Sequence, residues 1–305
     1  MAGALISGAL ALGLGGAYLA ARLARRNVSD LRRDMPGHLV SLPQGQTHAQ
    51  WHGPEGGPVL VCVHGLSTPS FVWGPLLPLL TDRGYRVLTY DLFGRGYSDR
   101  AAGRQDTRFF LDQLKGLLDA EAVTGRFSLM GYSMGGAISA AFTAENPNRV
   151  ERLVLLAPAG LGVALGGLSD FVARGPLVGD WVMEVLGPRL LRKGYGEGDG
   201  ADPVADAITT RALDELSVAG TTRAILSAQR GILSVDQSDL HRRIAETQVP
   251  VLAIWGADDR VIPLPCRDRL AALNPSARQV TLPAADHRLP YTHPAQVAQE
   301  LGPPA

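Results

Sequence analysis

The sequence predicts an α/β fold: an open, mostly parallel sheet flanked by helices, with a helical cap inserted near its end. Three observations carry this reading. Residues Gly131-Tyr132-Ser133-Met134-Gly135 follow the short apolar run at 127–130 and precede an Ala-rich helical stretch, giving strand, sharp turn and helix with a serine at the apex. Two later apolar runs, at 249–255 with Pro250 punctuating the entry and at 279–282, each lead into a polar loop. Such loops lie at the edge of an open parallel sheet where ligands bind. The runs at 152–156 and 251–255 are separated by roughly 90 residues, far beyond the usual connection between neighbouring strands, so the intervening segment must build a structure of its own.

The serine turn has the form of a nucleophile elbow. Its apical residue must adopt a strained backbone for the hydroxyl to project above the sheet, and small residues on either side allow neighbouring backbone to approach. Gly131, Gly135 and Gly136 meet that requirement. A serine hydroxyl needs a base within hydrogen-bond reach, and the base needs a third group that fixes its tautomer and stabilises its charge. The loop after 249–255 offers two adjacent acids, Asp258 and Asp259, of which at most one can face a histidine. The loop after 279–282 offers His287 within Ala284-Ala285-Asp286-His287-Arg288-Leu289-Pro290. The order is nucleophile, acid, base. The N–H of Met134, just after the serine at a helix start, is a candidate donor to a developing oxyanion.

Four ordered motifs make the chain resemble the α/β-hydrolase superfamily, in particular its capped serine esterase and lipase branch. They are His64-Gly65-Leu66 after the run at 59–63, Asp91-Leu92-Phe93-Gly94-Arg95-Gly96-Tyr97-Ser98 after 85–90, the serine elbow, and the spacing from Gly256 to Pro263. The resemblance spans roughly residues 45–300 and implies an eight-stranded-type sheet. It implies Asp259 over Asp258 as the acid, three residues beyond the glycine and four before the proline. It implies His287 over His293 as the base, seven residues before Pro294, and the Leu66 N–H as the second oxyanion donor. His64 reads as a histidine that hydrogen-bonds loop backbone. The implied triad is Ser133, Asp259 and His287. Relatives resembling haloalkane dehalogenases or epoxide hydrolases use a carboxylate at the elbow, whereas this chain has serine.

The expected activity is hydrolysis of carboxylic esters, lipid-like or medium-chain, through an acyl-enzyme intermediate. A carbon–carbon or amide bond hydrolase on the same triad, or a non-catalytic ligand receptor, are the alternatives. A small-molecule ester is the expected partner, and no cofactor is implied. Hydrophobic residues make up 46% and charged residues 19% with zero net charge, which gives no basic field for nucleic acid. Cys62 and Cys266 supply neither a disulfide framework nor a metal-ligand cluster.

The expected organisation is an N-terminal membrane anchor at 1–24, a linker at 25–44, a catalytic core at 45–160 and 246–305, and a helical cap at 161–245. The cap reading rests on apolar segments around 171–191, a polar break at 194–202, and helices expected at 204–217 and 221–234. Leu168, Phe171, Trp181, Met183 and Val185 are candidates for an apolar substrate pocket. Residues 2–21 carry no charge, and Arg22, Arg25, Arg26, Arg32 and Arg33 follow. Twenty residues suffice to cross a bilayer, and positive charge after the apolar run places the catalytic domain in the cytoplasm. Export after signal-peptide cleavage is one alternative, although a signal peptide carries its charge before the run, and an amphipathic or packing helix is the other.

Overall fold

Continuous apolar runs form the centre of the sheet. β3 (Val59–Val63), β5 (Phe127–Tyr132), β6 (Val150–Leu156) and β7 (Val251–Gly256) are almost wholly buried, as expected of parallel strands covered on both faces. With β1 (His38–Leu42), β2 (Gly45–His52), β4 (Arg86–Tyr90) and β8 (Arg278–Leu282), they form one eight-stranded sheet in the order β1-β2-β4-β3-β5-β6-β7-β8. The computed structural model describes residues 2–162, 172, 175–195 and 202–304. β1 and β2 run antiparallel, as do β2 and β4, and every other pairing is parallel.

The chain passes from β3 outward to β4 on one side and returns to β5 on the other. This reversal is a topological switch point, where loops from neighbouring strands splay apart and leave a crevice beyond their carboxyl ends. Gly65 and Ser133 both leave the sheet there, from the ends of β3 and β5.

Helices cover both faces. The helix Thr107–Ala120 buries Phe109, Phe110, Leu111, Leu114, Leu117 and Leu118 at helical spacing, and Asp106 caps it by accepting from the Phe109 N–H at 3.0 Å. The helix Met134–Glu145 is buried from Met134 through Ala144, which its run of small residues permits. The helix Ser238–Ala245 packs beside it.

The segment between β6 and β7 contains the helices Val178–Val185, Gly187–Tyr195, Pro203–Glu215, Thr221–Arg230 and Ser238–Ala245. Asp202 caps the third, accepting from Val204 and Ala205 N–H at 3.0 and 3.1 Å, with Pro203 at the first helical position. The helix expected at 221–234 stops at Arg230. Gly231 presses against the Gln105 carbonyl, where a Cβ would collide, and a short 3-10 turn follows. A small apolar cluster of Val172, Met183, Leu216, Ile225 and Leu226 binds these helices together, and Leu66 packs against both it and the main core.

Two expectations about the N-terminus are corrected. No helix among the described residues is long and apolar enough to cross a membrane, so the anchor at residues 2–21 and the membrane localisation built on it fall. Five glycines dilute the apolar run, and the helix Ala2–Leu23 lies against Val178–Val185, with the Trp181 indole N–H donating to the Leu14 carbonyl at 2.9 Å. Arginines of the cluster that set the expected orientation bind protein. Arg25 donates to the Leu216 and Glu184 carbonyls, and Arg26 to Ser217 Oγ and the Asp214 carbonyl. Arg32 bonds Tyr97 O and Asp99. The stretch expected as a linker, 25–44, contains β1, paired with β2 from His38↔Ala49 to Leu42↔Gly45.

Candidate active site

Ser133 has φ 54° and ψ −118°, a backbone conformation that side-chain-bearing residues rarely adopt. The turn closes because three glycines allow it. A Cβ on Gly131 would collide with Gly135 O and Ser139 Oγ, one on Gly135 with Val63 O and His64 O, and one on Gly136 with Pro158. The Ser133 carbonyl accepts from Gly136, Ala137 and Ala159 N–H, and its N–H donates to Leu156 O at 2.9 Å. The elbow is thereby locked to both β6 and the helix it starts.

The loops after β7 and β8 bring two side chains to this serine. His287 Nε2 lies 3.0 Å from Ser133 Oγ, and His287 Nδ1 lies 2.8 Å from Asp259 Oδ2. The Asp259 Oδ1 atom accepts from the Val261 and Ile262 N–H groups, each at 2.8 Å. The Asp259 side chain is 0% exposed and that of His287 17%, so the acid is sealed while the base can reach a substrate. A carboxylate on Nδ1 fixes the ring as its Nδ1–H tautomer and leaves Nε2 to accept the serine proton. Asp258 is exposed and its N–H donates to Ala285 O, away from the histidine. His293 contacts Thr292 Oγ1 and stands just before the helix Pro294–Leu301.

Both candidate oxyanion donors are aimed by peptide planarity. In a trans peptide the N–H points opposite to the preceding carbonyl. The three donors on the Ser133 carbonyl therefore turn the Met134 N–H outward. Gly65 O lies 2.8 Å from His64 Nδ1, which sets the plane carrying the Leu66 N–H. The other nitrogen of His64 accepts from Leu92 N–H at 2.9 Å. Burial pushes the His64 pKa down to about 4, so the ring is neutral and this pattern of one donor and one acceptor holds at working pH.

A model of the alpha/beta hydrolase family matches residues 60–300. The chain belongs to this family. Among similar proteins, the dihydrolipoyllysine-residue acetyltransferase component of the acetoin cleaving system of Pseudomonas putida is 31% identical over 82% of the chain, which spans only 64% of that relative. A 2-hydroxy-6-oxononadienedioate/2-hydroxy-6-oxononatrienedioate hydrolase of Paraburkholderia xenovorans (strain LB400) is 27% identical over 88% of the chain and 94% of its own length. A pimeloyl-[acyl-carrier protein] methyl ester esterase of Nitrosomonas europaea is 28% identical over 79% and 92%. In fold, the hydrolase is similar to the enol-lactonase of Burkholderia xenovorans LB400, with TM-score 0.74 and 22% identity over 87% of this chain and 98% of that one.

The expected pocket residues scatter. Met183 is buried in the apolar cluster that touches Leu66, and Val185 is half-buried. Trp181 is turned toward the N-terminal helix through its bond to Leu14. Leu168 and Phe171 lie outside the described residues. A cavity of about 280 Å³ opens elsewhere in the hydrolase, between β2, the loop after β3 and the helix Pro203–Glu215. His52, Phe71, Thr89 and Arg211 line it, and no triad residue does.

Sequence reasoning missed Tyr132. Its hydroxyl donates to the His287 carbonyl at 2.9 Å, and its ring lies 5.2 Å from the imidazole. The residue before the nucleophile thus holds the loop that carries the base. Its place inside the serine motif was the available signal. A second buried pair, His48 with Asp91, was missed for want of any, because 43 residues separate partners that meet only through strand pairing.

Proposed function

We propose that the protein is a serine hydrolase of carboxylic esters working through an acyl-enzyme intermediate. The observation that carries this reading is the single imidazole bridging Ser133 Oγ at 3.0 Å and Asp259 Oδ2 at 2.8 Å. In this scheme Ser133 Oγ attacks the ester carbonyl while its proton passes to His287 Nε2. The tetrahedral oxyanion meets the Met134 and Leu66 N–H groups. Collapse expels the alcohol, which takes the proton from His287. Water then attacks the acyl-enzyme with His287 again as base, releasing the carboxylic acid and restoring the serine.

The similarity to a methyl ester esterase supports an ester substrate. For a lipid-like or medium-chain acyl group, support comes from the apolar cluster around Met183 and Leu66, since the membrane anchor no longer contributes. Similarity to the 2-hydroxy-6-oxononadienedioate hydrolase, whose named substrate holds no ester, favours carbon–carbon bond hydrolysis as the second reading.

The test is hydrolysis of p-nitrophenyl esters from acetate to palmitate by wild type and Ser133→Ala, with fluorophosphonate labelling in parallel. We expect turnover and labelling in wild type and loss of both in the variant. Labelling without ester turnover would favour the carbon–carbon reading. Absence of both would favour a receptor.

A further inference from the structure

We propose that Arg95 is a positioning residue of the loop that carries the Leu66 N–H, and that it ties the geometry of this loop to the docking of the β6–β7 insertion. The inference rests on the oxyanion roles proposed above.

Arg95 is 0% exposed, yet its guanidinium meets no carboxylate among the described residues. The guanidinium lies 5.7 Å from the Phe110 ring centroid, and each of its hydrogen-bond acceptors is a carbonyl: Nε donates to Leu66 O at 2.9 Å, Nη1 to Phe93 O at 2.8 Å and to the Gln105 side-chain amide, and Nη2 to Ala224 O at 3.3 Å. Burying a cation this way is costly, and an apolar side chain would fill the same space more cheaply. Burial pushes its pKa down to about 9, which still leaves it charged at neutral pH. Only a planar fork holds carbonyls of three separate segments at once.

The Leu66 contact has a specific consequence. His64 fixes the peptide plane before the Leu66 Cα, and Arg95 fixes the plane after it. Both torsions of Leu66 are then set, and with them the direction of its N–H. The same fork reaches Ala224 in the helix Thr221–Arg230. Its neighbours dock there too: a Cβ on Gly94 would collide with Ala224, and the Gly96 N–H donates to Glu215 Oε2 at 2.9 Å. Movement of the insertion is transmitted through Arg95 to the oxyanion loop.

The test compares wild type, Arg95→Lys, Arg95→Met and Gly94→Ala as full chains. It measures kcat per fluorophosphonate-titrated site, KM, labelling rate, and inhibition by n-butylboronic acid, whose tetrahedral adduct needs the oxyanion donors. Counting titrated sites removes any misfolded fraction. For Arg95→Met, kcat per site falls about 10²-fold, boronate binding weakens in proportion, and KM holds, the pattern of a misplaced transition-state donor. Arg95→Lys, which keeps one bond to Leu66 O, recovers part of the loss. Gly94→Ala, whose Cβ would meet Ala224 of the insertion and whose backbone at φ 87° is strained by any side chain, lowers kcat and boronate affinity in the same ratio.

Wild-type kcat per site and boronate affinity in Arg95→Met would overturn the positioning role, even with a lowered Tm. A fully active Gly94→Ala would overturn the link to the insertion. If wild type turns over no ester, the ester reading fails separately, and labelling rate and boronate affinity still decide the role of Arg95. A wild type that neither labels nor binds boronate overturns both.

Discussion

The molecule contains two histidine–carboxylate pairs of the same length and through the same ring nitrogen: His287 to Asp259 and His48 to Asp91, each 2.8 Å from Nδ1. They differ at the far nitrogen. In the first, Nε2 faces the Ser133 hydroxyl, which can donate to it. In the second, Nε2 lies 2.6 Å from the Pro36 carbonyl, which can only accept. A ring between a carboxylate and a carbonyl must donate from both sides, so His48 is held as a cation, whereas His287 keeps a free lone pair. Burial disfavours a charged His48, but the hydrogen bond and charge of Asp91 outweigh it and raise its pKa. For Asp91 burial likewise opposes ionisation, and the bond and charge of His48 hold it well below the carboxylate range. The same pair of residue types thus leaves a lone pair free beside a serine in one place and clamps two strands in the other, decided by one atom.

The largest effect should come from breaking the first pair. His287→Ala should lower ester turnover by at least about 10⁴-fold, while His48→Gln leaves kcat per titrated site unchanged. Equal losses in the two variants would erase the distinction. Asp259→Asn should cost about 10⁴-fold in kcat with little change in thermal midpoint, because an amide stabilises the wrong tautomer.

The second pair should show itself in stability. Asp91→Asn leaves a buried imidazolium without its partner and should cost about 3–5 kcal/mol in urea unfolding. The pH dependence has two limbs. Asp91 has a depressed pKa, so its contribution is present above the ordinary 3.8 and is lost as pH falls through the native value. His48 has a raised pKa, so its contribution is full below the ordinary 6.5 and is lost as pH rises through the native value. The gap in urea midpoint between wild type and Asp91→Asn should therefore be widest between these limits; a gap independent of pH would contradict a charged pair. The smallest effect belongs to Asp258→Asn, an exposed site, within about 0.5 kcal/mol of wild-type stability and at full activity.

What was legible in the sequence follows from the range of the interactions. The elbow is written locally, because Gly131, Gly135 and Gly136 answer to backbone within a few residues or on the adjacent strand. The convergence of Asp259 and His287 on Ser133 was legible because each follows a strand whose end must lie at the same sheet edge. Nothing local to His48 announces Asp91, so that pair was not legible. Arg25 and Arg26 misled for a physical reason. A guanidinium satisfies helix-end carbonyls as readily as lipid phosphates, and sequence alone does not say which acceptor is near. The apolar pocket residues were the least legible, because an apolar side chain in the insertion serves packing as well as it serves a substrate.

The order of residues along the strand ladder has a consequence for the growing chain. Ser133 follows β5, at the middle of the sheet, while His287 comes 154 residues later, after β8. Only β8 and its loop bring the imidazole home, at the outer edge of an otherwise complete sheet. A polypeptide without β8 and its loop therefore holds Ser133 without the imidazole beside it. On the proposed reading, ester turnover therefore reports that β8 has joined the sheet.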